Sequence, residues 1–97
     1  MVNWSNPAKK SLRQIYEYIS QDSLYYAKEV TDKIVSETEK LIEFPKIGRI
    51  VPELDNGNIR ELIIYSYRLI YEITEKADIY ILAVIHGRQL FPENIIK

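Results

Sequence analysis

The chain has no cysteine, a single histidine and no excess of basic charge, and each shortage removes a class of function. Without thiols there is no disulfide framework and no thiol chemistry, a composition compatible with the cytoplasm. One histidine and no cysteine cannot build a usual zinc constellation, so no metal and no cofactor are expected. No Ser–His–Asp arrangement for nucleophilic catalysis is legible either. The 13 Lys plus Arg are offset by 14 Asp plus Glu, for a formal net charge of -1. A protein that grips RNA or DNA through phosphates usually carries a clear basic excess, so the molecule as a whole is not pulled strongly towards nucleic acid. The start, Met1-Val2-Asn3-Trp4, lacks the regions of a signal peptide, and no apolar run is long enough to span a bilayer. Internal repeats and low-complexity stretches are absent from the sequence.

What is present is an ordinary globular composition, 46% hydrophobic and 28% charged over 97 residues, enough for one core and one domain spanning 1–97. Val2 to Trp4 reads as a short edge strand, with Trp4 packing beneath helices. Asn6-Pro7 reads as a helix start, Asn as the cap and Pro at the first helical position. Ala8, Leu12, Ile15, Tyr16 and Ile19 recur at helical spacing and predict a helix over 7–20. After Gln21-Asp22-Ser23, where Asp22 or Ser23 caps, a longer helix is predicted over 24–43. Its apolar stripe is Ala27, Val30, Ile34, Leu41 and Ile42, with Thr38 filling the gap. Glu29 and Lys33 stand in the favourable order for a surface ion pair. Two amphipathic helices joined by so short a break fold back as a hairpin and lay a joint apolar face on a sheet. Tyr25 and Tyr26 are expected to be packing aromatics.

Pro45 ends the second helix by biasing Phe44 away from helical geometry. Gly48 is expected to adopt a positive φ, Ile50 to Leu54 looks extended, and Asp55-Asn56-Gly57-Asn58 is a turn signal. From Arg60 to His86 three runs are dense in Ile, Tyr, Val and Leu, broken at Tyr65-Ser66 and at Glu75 to Asp78. Breaks this short exclude parallel crossovers, so an antiparallel sheet of three to four strands is expected, and the fold class is α+β. By period two, Leu69, Tyr71 and Ile73 share a face, and Arg68, Ile70 and Glu72 share the other. In the last run Ile79, Ile81, Ala83 and Ile85 share one face; Tyr80, Leu82, Val84 and His86 share the other, with Arg88 continuing that parity. This run is apolar on both faces, which suggests a central strand. One sheet face meets the helices, and the other collects Arg68, His86 and Arg88 beside apolar residues, a surface suited to binding. A competing reading pairs Arg68 across strands with Glu61 or Glu72. Arg60 is a candidate for the same face, and Arg49 for stabilising the turn after the second helix. His86, at a strand end, is either a hydrogen-bonded structural residue or a general acid or base. The end of the chain reads either as a tail packing Leu90 and Phe91 or as a segment ordered by a partner.

Five motifs follow in order: Phe44-Pro45-x-x-Gly48-Arg49, Val51-Pro52-Glu53, Arg60-Glu61-Leu62, Tyr67-Arg68-Leu69-Ile70-Tyr71-Glu72-Ile73 and Val84-Ile85-His86-Gly87-Arg88. Together, and over nearly the whole chain, they resemble the RelE/ParE superfamily of toxins from bacterial type II toxin–antitoxin modules. The Pro-x-x-Gly-Arg turn, the long helical hairpin and the His-Gly-Arg ending resemble the ParE branch more than the RelE branch. The resemblance implies a cytoplasmic, growth-inhibiting protein of the plasmid-stabilization kind, neutralised by a cognate antitoxin whose flexible C-terminal part orders on binding. A homodimer or a toxin–antitoxin heterotetramer is the assembly in view, with no membrane partner. ParE-like members inhibit DNA gyrase by trapping its cleaved-DNA complex; RelE-like members cut mRNA on the ribosome. A non-toxic antitoxin-binding module is a third reading. Arg49, Arg60, Arg68 and Arg88 are the candidates for binding target or antitoxin. Arg68, His86 and Arg88 would be catalytic only in a ribonuclease, where cations hold phosphate and His86 moves a proton. Two departures count against that enzyme. RelE-type members carry Lys on the strand before the Tyr-Arg motif, where this chain has Arg60-Glu61-Leu62. They also carry a Tyr past the final Arg, where it has Phe91-Pro92-Glu93-Asn94.

Overall fold

The computed structural model describes residues 1–87, 89 and 91. Its elements are β1 (Val2–Trp4), α1 (Asn6–Ser20), α2 (Leu24–Glu43), β2 (Arg49–Ile50), β3 (Ile59–Ile64), β4 (Tyr67–Ile73) and β5 (Ile79–His86). The fold is α+β, with a helical hairpin laid against a five-stranded sheet of order β1-β5-β4-β3-β2. The meander β2 to β5 is antiparallel as expected, but β1 pairs with β5 in parallel, so the sheet is mixed at that edge. The helical hairpin together with β2 to β4 supplies the long connection that this parallel pair needs.

Both helix starts are capped by serine. Ser5, in extended geometry, accepts the Ala8 N–H at its Oγ (3.1 Å), so the cap is Ser5 rather than Asn6, and the helix begins one residue earlier than predicted. Ser5 Oγ also donates to the Leu82 carbonyl (3.0 Å), which ties the start of α1 to β5. Ser23 caps α2 through the Tyr26 N–H (3.1 Å). On the surface of α2, Lys33 pairs with Glu37 (3.0 Å) rather than with Glu29.

The main core lies between the helices and the sheet and holds Ala8, Ile34, Leu41, Leu69, Tyr71, Ile79, Ile81 and Val84, with Trp4 packed against it. Ile42, expected in the α2 stripe, is exposed. A second, smaller cluster sits on the opposite face: Val51, Ile59, Ile70 and Leu82, flanked by Leu54 and Phe91. Both sheet faces are therefore covered along β5, whose residues Ile81 to Ile85 are all buried.

One irregularity re-aims the end of β5. Ile70 pairs with Ala83, but Tyr71 pairs with Ile81, so Leu82 is an extra residue in β5. A bulge of this kind reverses side-chain parity beyond it. Val84 thus joins Ile79 and Ile81 in the helix-side core, against the period-two expectation.

Among the described residues, three other than glycine have positive φ: Asp55, Tyr65 and Ala77. Ala77 (φ 65°) closes the β4–β5 turn, where its N–H donates to the Thr74 carbonyl (2.9 Å). Left-handed geometry costs a residue bearing Cβ roughly 1–2 kcal/mol, partly offset by the greater entropy glycine loses on folding. Ala77→Gly is therefore expected to raise stability by about 0.5–1 kcal/mol in urea unfolding; a loss of stability would show that the turn geometry is otherwise held. Among the described residues no helix is long and apolar enough to cross a membrane.

Candidate functional site

On the sheet face opposite the helices, register sets Arg49 across from Glu61 on the β2–β3 ladder. Two strands on, Arg68 shares that face with Glu61. The Glu61 carboxylate is fully buried and accepts from both guanidiniums: Arg68 Nε at 2.6 Å on one oxygen, Arg49 Nε on the other. Glu53, on the loop after β2, grips the far side of Arg68 with both oxygens, at 3.0 and 2.8 Å. The Phe91 ring lies 5.5 Å from the Arg68 guanidinium carbon, within cation–π range. Arg68 is left 11% exposed, whereas Arg49 is 63% exposed.

Two guanidiniums and two carboxylates make this cluster neutral. The cross-strand pairing of Arg68 weighed from the sequence is present with Glu61; Glu72 is not its partner, and Glu53 is the partner that register could not indicate. Hydrogen bonding to Glu53 pushes the Arg68 pKa further up, against the opposing effect of burial. The same contact holds Glu53 below the ordinary carboxylate range, and hydrogen bonds from Lys40 and Lys33 do so for Glu37. Both folded values lie below the unfolded ones, so the stability they contribute is complete above about pH 4.3 and lost as pH falls through the depressed values. The urea midpoint is expected to drop on the acid side of that pH, and Glu53→Gln to make the drop shallower; an unchanged acid limb would remove Glu53 from the effect.

The other candidates separate. Arg60 pairs with Tyr71 and faces the helix side, not the Arg68 side. Its guanidinium donates to the carbonyls of Gly48 (2.9 Å) and Gly57 (3.0 Å), and so clamps the two turns that flank β2 and β3. His86 pairs with Tyr67 and meets its ring edge to face, with centroids 5.5 Å apart. Tyr67 and Arg68 are adjacent on β4, so the expectation that Arg68 and His86 share a face is corrected: the Leu82 bulge puts them on opposite sides. Arg88 lies outside the described residues, as does Leu90. Phe91 packs as the tail reading proposed. Among the described residues no group of three His, Cys, Asp or Glu side chains is placed to hold a metal ion.

Two residues that sequence reasoning passed over, or read differently, hold the Pro-x-x-Gly-Arg turn in place. Tyr71 Oη donates to the Pro45 carbonyl (2.6 Å) and accepts the Gly48 N–H (3.0 Å), and burial pushes its phenol pKa up. Gly48 does not have a positive φ; a Cβ there would lie 2.5 Å from the Glu61 carbonyl oxygen. The requirement is close approach rather than a left-handed backbone. Tyr25 and Tyr26, expected to pack, are exposed at the start of α2 and contact each other edge to face.

The fold that carries this cluster, a helical hairpin laid on one side of the sheet, is that of the ParE and RelE toxins. The chromosomal ParDE system of P. aeruginosa contains a chain that superposes with a TM-score of 0.71 at 19% identity, over 88% of this chain and 92% of that one. A doubly substituted E. coli RelE in the free state gives 0.65 at 15% identity, over 91% and 83%. The RelBE2 toxin–antitoxin complex of M. tuberculosis gives 0.52 at 20%, over 89% and 95%. Identities this low show a shared fold. The sequence itself goes further: residues 2–91 match the family described as ParE toxin of type II toxin–antitoxin system, parDE, and the chain belongs to that family. No curated protein matches it significantly.

Proposed function

We propose that this ParE-family toxin acts by binding DNA gyrase and stabilising its cleaved-DNA complex, and that a cognate antitoxin holds it in check. The observation that carries the choice of target is the neutral cluster. Arg68, the best candidate for holding a phosphate, already donates from Nε to Glu61 and from each Nη to an oxygen of Glu53. Cutting RNA needs cations aimed at the charge that develops on phosphate. Occupied by two carboxylates, Arg68 acts instead as a strut that fixes the loop at Glu53 to the sheet. The separation of Arg68 from His86 across the sheet supports the same reading. An antitoxin partner is supported by the family and by neighbours that come from a ParDE system and from a toxin–antitoxin complex.

The test is a supercoiling reaction with purified gyrase and relaxed plasmid. Micromolar toxin is expected to suppress supercoiling and to accumulate cleaved plasmid after denaturation, and the co-expressed antitoxin to reverse both. Unchanged supercoiling with no trapped cleavage would overturn the choice of gyrase.

A further inference from the structure

Halfway along β5 the outer edge of the sheet loses its cover. β1 pairs only with Ile79 to Ile81, because Ser5 then turns the chain into α1. Beyond that point the described residues place no strand outside β5. The Gly87 N–H donates to the Ser66 carbonyl (2.7 Å), which fixes the phase of the β4–β5 ladder. Antiparallel alternation then directs the backbone groups of Ile85 and Ala83 towards β4 and turns those of Val84 and His86 outward.

The outward groups of His86 are already engaged. Its N–H donates to Gln89 Oε1 (2.6 Å), and its carbonyl accepts the Gln89 N–H (2.9 Å). Gln89 thus makes, from within the chain, both bonds that a neighbouring strand would make. Along this edge a groove of about 830 Å³ runs between α1 and β5, with Ile15, Tyr18, Tyr67 and Leu82 in its walls. It reaches round both faces of the sheet, since Tyr67 and Leu82 belong to opposite ones. None of its described lining residues is Asp, Glu, Lys or Arg, in a chain that is 28% charged.

We propose that the outer edge of β5 at Val84 and His86 receives an extended, uncharged segment of the antitoxin as an added strand, and that Gln89 holds part of this edge closed in the free toxin. The inference rests on the reading that an antitoxin binds at all. An added strand would continue the line of β1. Its main chain would pair with β5, and its alternating side chains would enter the groove on either side of the sheet. Charged side chains are disfavoured there, because they would lose water without meeting a counter-charge.

Amide hydrogen exchange, read residue by residue on the toxin alone and on its complex with a co-expressed cognate antitoxin, tests this. Binding is expected to slow exchange at Val84 by about tenfold or more, with Ala83 and Ile85 protected in both states. Gln89→Ala, which removes the competing side-chain bond, is expected to tighten the complex about threefold or more. A complex that forms and leaves Val84 unchanged would overturn the added strand while sparing the antitoxin reading. Unchanged or weaker binding by the Gln89→Ala toxin would overturn the role given to Gln89. Failure of the two proteins to associate would overturn both the antitoxin reading and this inference.

Discussion

Glu61→Gln is expected to lower the unfolding free energy by about 3 kcal/mol, the scale seen when one partner of a buried ion pair is removed. For a chain of this length that is roughly a 15 °C drop in melting temperature. The replacement keeps the shape and removes the charge. One carboxylate oxygen becomes an NH₂ group, and since each oxygen accepts from a guanidinium, a donor must then face a donor. The nearly buried Arg68 keeps only Glu53 as its counter-charge. Replacing both partners, Glu61→Leu with Arg68→Leu, is expected to recover a large part of the loss, because it leaves no buried charge unmatched. A Glu61→Gln protein that melts within about 3 °C of the parent would mean that the cluster contributes little.

Gly48→Ala is expected to cost about 2–3 kcal/mol, the upper range for overpacking a closed site. The added methyl would lie 2.5 Å from the Glu61 carbonyl oxygen and 2.7 Å from Tyr71 Oη. Neither can retreat freely. Glu61 sits in the β3 ladder, and the Tyr71 hydroxyl is held between Pro45 and Gly48. Arg60, whose guanidinium donates to the Gly48 and Gly57 carbonyls, would also lose its hold on the turn if Gly48 moved. Gly57→Ala is the control, since a Cβ there meets nothing within 4 Å. Equal urea midpoints for the two variants would contradict the close-approach account of Gly48.

The helices were legible because their signals are local. Asn6-Pro7 and Ser23 at the starts, apolar spacing of three and four, and Pro45 at the end confine α1 and α2 to within a residue of their observed bounds, although the cap of α1 is Ser5. The antiparallel meander was legible for a related reason: two short breaks between β-rich runs leave little other topology. What could not be read depends on pairing over distance. β5 is apolar at nearly every position, so nothing in Ile79 to Ile85 marks Leu82 as the extra residue. That one insertion moves Val84 and His86 to the helix side and separates His86 from Arg68. Glu53 escaped notice because it lies on a loop 15 residues from Arg68. Gly48 was recognised as special for the wrong reason, since a close contact with β3 leaves no trace in the local sequence.

The occupied Arg68 is the point on which the choice between gyrase and RNA turns, and mRNA cleavage on programmed ribosomes interrogates it most directly. Reactions with purified toxin at micromolar concentration are expected to leave the mRNA intact. Codon-specific cutting by the wild-type toxin, lost in Arg68→Lys protein shown to be folded, would contradict the neutral-cluster account and make the toxin a ribonuclease.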